Sequence, residues 1–162
     1  MSIQKINDYL GISIFTLILL SLLGVPRVIA HDLSIVEEGS LANRILVFAP
    51  IVIWIMFIVL KKVQKPFLSL LLIGFFYGIF LAIVHQLFWN IALDTPIQLG
   101  GNLSNLPQVA VNIIARIFAF FSSITTGIVL GVITGAASSL LRFVRKSFTA
   151  KSAEMKDKNH QI

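Results

Sequence analysis

Residues 116–143, RIFAFFSSITTGIVLGVITGAASSLLRF, place glycine at 127, 131 and 135 within an apolar run. Each glycine weakens a helix by about 0.5–1 kcal/mol relative to alanine, so three at this spacing require a compensating gain. Read at every fourth position, the segment runs Ala115, Ala119, Ser123, Gly127, Gly131, Gly135, Ser139, all small. In lipid, helices gain nothing from apolar contact as such, because the surrounding tails are equally apolar. They associate by close backbone approach, which small residues permit. The ridge therefore predicts a packing seam on a membrane-spanning helix. Gly74, Gly78 and Ala82 form a shorter ridge of the same kind upstream. Two occupants fit the seam: that upstream ridge, or a second copy of the protein.

Composition agrees with a lipid environment. The chain has 162 residues, 57% of them hydrophobic and 12% charged; its mean hydropathy is +0.92. A water-facing domain carries about 25% charged residues, so much of this surface faces something other than water. The absence of cysteine excludes disulfides, CxxC redox chemistry and thiolate metal sites. No apolar segment alternates with period two, which argues against a β-barrel. The expected fold is an all-α integral membrane protein, four transmembrane helices in an up-down antiparallel bundle. Their bounds are about 9–30, 43–62, 66–92 and 107–143, within one domain of residues 1–146. Residues 147–162 read as a basic, flexible tail. Pro50 is expected to kink the second helix, tolerated as such kinks commonly are in membranes.

The formal charge of +6 would point to nucleic acid in a soluble protein. Here the basic residues flank the spans, and no nucleic-acid partner is expected. With the N-terminus inside, ten basic residues lie on the inner side, among them Lys61, Lys62 and Lys65 of the KKVQK hinge and the group from Arg142 to Lys158. Apart from Arg116 in the fourth segment, only Arg27 and Arg44 lie outside, each flanking a segment end. This asymmetry places both termini in the cytoplasm. The format is that of a small bacterial multi-pass protein of the cell (inner) membrane. Arg142 to Lys151 is expected to lie along the anionic inner leaflet. An alternative takes residues 1–30 as a cleaved signal peptide, leaving three helices in the same orientation.

Candidate chemistry collects at the outer end. His31, Asp32, Glu37 and Glu38 follow the first helix; His85, Gln86 and Asn90 end the third; Asn112 and Arg116 begin the fourth. Together they form one candidate outward-facing polar cluster, with Arg116 either a boundary marker or the partner of an acid. Metal binding through His31, Asp32 and His85 is conceivable, but no ligand spacing singles it out. There is no HExxH, GxSxG, P-loop or paired intramembrane acid. The reading is therefore a non-enzyme with no catalytic residue and no cofactor: an accessory, regulatory or assembly protein acting through helix packing. A protein partner or self-association would use the fourth helix. The alternative is a small transporter or channel, homo-oligomeric in one form, working through the outer polar cluster.

Overall fold

A computed structural model describes residues 2–92 and 95–159, with side chains as far as residue 148. Among the described residues the chain is all-helical, without strands. Four helical stretches are long and apolar enough to cross a membrane: Ile14–Asp32, Leu41–Leu60, Pro66–Leu87 and Gln108–Phe148.

The first span is not one helix from 9 to 30 but part of a broken series. Helix α1 (Ile3–Leu10) ends at Gly11, which takes the left-handed conformation with φ 73°. A side chain there would be strained, and its Cβ would fall 2.7 Å from Cγ of Gln64 in the hinge. Asn7 turns its amide oxygen forward to accept the Ile14 N–H (2.9 Å), and Ser13 accepts that of Phe15 (3.2 Å). These bonds cap helix α2 (Ile14–Leu22). A second break precedes helix α3 (Val25–Asp32), where Pro26 lacks an N–H to continue the ladder from α2. Gly24 there packs against the ring of Tyr77. The Leu20 carbonyl beside this break accepts the Trp54 indole N–H at 2.6 Å, tying the first span to the second.

Helix α4 (Leu41–Leu60) begins on a Ser40 cap and runs through Pro50 without interruption. The hinge turns at Lys61 and at Lys62, whose φ is 51°, and Pro66 starts helix α5 (Pro66–Leu87). Half of the α5 span is buried, against 17–28% for the other three, so α5 is the central element. The core around it comprises Leu17, Leu20, Val28, Trp54, Ile58, Leu70, Ile73, Tyr77 and Leu81. The third segment stops earlier than 92 as a continuous helix: a short α6 (Trp89–Ala92) follows a break at Phe88. A 3-10 turn at Gly101–Leu103 then leads to helix α7 (Gln108–Asn159).

Helix α7 continues well beyond 143, because the polar stretch from Lys151 to Asn159 contains no glycine or proline to stop it. Within the tail of residues 147–162 the helix therefore runs on as far as Asn159. Helices α5 and α7 run antiparallel, Phe67 meeting Gly135 at one end and Gln86 meeting Arg116 at the other. Between these points the backbones touch. A Cβ at Gly74 would land on the Gly127 carbonyl oxygen, and one at Gly127 would lie 2.5 Å from Cα of Gly78. One at Gly131 would lie 2.9 Å from Cα of Leu71. Ala82 is fully buried on the same helix. Of the two occupants open to the seam, α5 therefore fills it within one chain.

The small ridge does not stay in contact along its whole length. At 3.6 residues per turn, every fourth position advances roughly 40° around the helix. Ser123 is buried and Ala119 half-buried; at the far end Ser138 is fully buried in place of Ser139, which is half-buried.

Candidate functional site

The polar residues at the end of the bundle opposite the hinge divide into two groups. The division follows from helix geometry: His85 and Gln86 are consecutive, so their side chains leave α5 roughly 100° apart and meet different neighbours.

The first group centres on Asp32, whose side chain is only 2% exposed although it ends α3. Its Oδ2 accepts from Nδ1 of His85 at 2.7 Å, joining the first span to the third. Its Oδ1 faces Nδ1 of His31 at 3.3 Å, and Nε2 of His31 lies 2.9 Å from Glu38 Oε1. His31 thus has a carboxylate against each ring nitrogen, and only a doubly protonated ring donates to both at once. Glu37 is exposed and has no ion-pair partner among the described residues. His31, Asp32 and His85 do meet, as a hydrogen-bonded chain. Among the described residues, no three His, Cys, Asp or Glu side chains are placed to hold a metal ion.

The second group centres on Arg116, and here the pairing with an acid is corrected. Its Nη1 donates to Oε1 of Gln86 (3.2 Å) and the Gln86 carbonyl (3.5 Å), and its Nη2 to Oδ1 of Asn90 (3.4 Å). Gln86 returns a bond to the Arg116 carbonyl at 3.0 Å, and the guanidinium sits 5.0 Å from the Trp89 ring centroid. Asp32 and Glu38 are engaged by the histidines of the other group, and amides and an aromatic face hold the arginine. Asn112 accepts instead from Gln108, one turn away on α7. Arg116→Lys should lower thermal stability by about 1 kcal/mol, because an ammonium cannot reproduce the fork or the ring stacking. Arg116→Gln should cost at least as much in the same detergent melt. Full stability in both variants would reduce Arg116 to a boundary marker.

Two features were not read from the sequence. Arg27 flanks the most apolar part of the first segment in the sequence, and it lies in α3 inside the span. Its Nε is buried with no hydrogen-bond partner among the described residues. It lines a cleft of about 700 Å³ between α4 and α7, together with Pro50, Trp54, Tyr77, Ser122, Thr125 and Thr126. The signal was available: the apolar window continues past Arg27 through Val28-Ile29-Ala30.

The second is a smaller cavity of about 350 Å³ at the hinge end. Nη1 of Arg142 closes one wall by donating to the carbonyls of Val63 (3.1 Å) and Gln64 (3.2 Å).

Four apolar helical spans make this chain a multi-pass membrane protein. No protein-family model, curated protein or solved structure matches it.

Proposed function

We propose that the protein is a non-enzymatic accessory, regulatory or assembly protein of a bacterial cell membrane, acting through helix packing. In this reading both termini and the KKVQK hinge are cytoplasmic, supported by the excess of basic residues at that end. The observation that carries the function is the cleft between α4 and α7. The glycine ridge of α7 is occupied by α5, but a second face of α7 presents Ser122, Thr125, Thr126 and Val129 to this cleft. Small residues and hydroxyls at three- and four-residue spacing are what a neighbouring helix packs against in lipid. A partner's transmembrane helix docks there, between spans that are already close but not closed.

The alternative, a small transporter or channel, would use Asp32 and His85 as its polar entrance. One turn deeper on their own helices stand Val28 and Leu81, both core residues, which favours the packing role.

Two measurements test the proposal. Single cysteines at Lys62 and Gly101 can be probed on intact cells with an impermeant thiol reagent; labelling at 62 but not 101 would reverse the topology. A photo-crosslinking amino acid at Thr126 should yield a discrete protein adduct in the native membrane, whereas one at the exposed Ile83 of α5 should not. No adduct at Thr126, or equal adducts at both positions, would remove the partner reading.

A further inference from the structure

The hinge-end cavity combines features that point to one ligand chemistry. Ser138, Arg142, Arg145 and Lys146 lie on one face of α7, at spacings of three, four and eight residues, and all line the cavity. Lys62 lines it from the hinge, where its left-handed backbone turns the chain. Among the described residues, no acidic side chain lines the cavity. The opposite wall is apolar, with Ile58, Val59 and Pro66 contributed by α4 and the start of α5. One side of the cavity thus suits an anion and the other a hydrocarbon.

Ser138 supplies an independent observation. Its side chain is fully buried, and its hydroxyl has no hydrogen-bond partner among the described residues. Five other α7 hydroxyls behave differently. Ser123, Thr125, Thr126, Thr134 and Ser139 each donate to the carbonyl four residues earlier, at 2.8–2.9 Å. Back-bonding of that kind is the ordinary fate of a helical hydroxyl in an apolar setting. Ser138 makes no such bond and borders the cavity instead. A buried hydroxyl without a partner is costly, which favours an acceptor arriving from outside the chain.

We propose that this cavity is a stoichiometric site for one anionic phospholipid. Its phosphate accepts from the Ser138 hydroxyl and from Lys62, Arg142 and Lys146, and its glycerol and first acyl carbons lie on Ile58 and Val59. A zwitterionic lipid brings its own ammonium towards these cations and is disfavoured. A free phosphate would leave the apolar wall bare. This differs from diffuse attraction between a basic segment and the leaflet, which depends on net charge and not on which residues carry it. It rests on the cytoplasmic placement of the hinge only for which leaflet supplies the lipid. Its outcome is also separate from that of crosslinking at Thr126, which concerns another cleft.

The test uses the full-length protein in detergent, titrated with phosphatidylglycerol, with phosphatidylcholine of the same chains, and with inorganic phosphate, and read by native mass spectrometry. Phosphatidylglycerol should bind with a stoichiometry of one and about tenfold or more tighter than phosphatidylcholine. Lys62→Gln and Lys146→Gln should each weaken it about fivefold. Ser138→Ala should weaken it by a similar factor of about five while leaving the apo protein no less stable. Lys5→Gln removes the same charge from α1, outside the cavity, and should leave binding unchanged. Equal losses in the Lys5 and Lys62 variants would leave only diffuse attraction. Equal binding of the two lipids, no effect of Ser138→Ala, or phosphate competing as strongly as the lipid would each overturn the site.

Discussion

Gly127→Leu should separate the third and fourth spans and lower stability in detergent by about 3 kcal/mol or more, at the top of the usual range for overpacking. The physical reason is that the neighbours at this point are backbone. A Cβ at Gly127 would fall on the Gly74 carbonyl oxygen and 2.5 Å from both Cα and N of Gly78, none of which can rotate aside. Even Gly127→Ala should be clearly destabilising, because the clash begins at the Cβ. Ile128→Leu is the control: that position is 38% exposed and keeps its volume. Denaturation in mixed micelles, followed by far-UV circular dichroism, reads the difference. Equal stability of the Gly127 and Ile128 variants would mean that α5 and α7 do not meet along this ridge in the membrane.

The second large effect is expected at the opposite end from the hinge. His85→Leu removes the 2.7 Å partner of Asp32, leaving a carboxylate whose side chain is 2% exposed with only the longer His31 contact at 3.3 Å. Leaving a buried carboxylate without its short hydrogen-bond donor is strongly destabilising, here by about 3 kcal/mol. The double variant Asp32→Leu, His85→Leu should recover much of that loss, since no buried polar group then lacks a partner. Glu38→Gln, whose side chain is 83% exposed, should leave the melting temperature unchanged. If the double variant were as unstable as His85→Leu alone, the pair would not be coupled and the bond between first and third spans would carry no weight.

The two effects differ in how legible they were. Gly74, Gly78, Gly127, Gly131 and Gly135 announced close approach through spacing alone, because small residues recurring on one helical face have few other uses in lipid. The residues of the polar end were equally visible, but their pairing was not. Treating them as one cluster assumed that residues at one depth share one neighbour. His85 and Gln86 show why this fails: one turns to α3 and Asp32, the other to α7 and Arg116. Arg27 is a related case: a helix of 9–30 already runs past it, but only the packing shows its Nε buried beside the cleft.

Hydropathy by itself determined four apolar spans and the all-helical class, because a backbone in lipid must satisfy its hydrogen bonds within each segment. Those are properties of composition over some twenty residues and need no partner to be read. The tertiary structure decided what depends on azimuth and on contacts distant in sequence. It broke the first segment at Gly11 and before Pro26, and it set the Trp54 indole on the Leu20 carbonyl. It buried Ser138 where Ser139 continued the ridge, and it gathered Lys62 with Arg142 and Lys146 around one cavity. A helix advances about 100° per residue, so a shift of one position or a modest crossing of two axes changes which side chain meets which. Only the assembled packing fixes that angle.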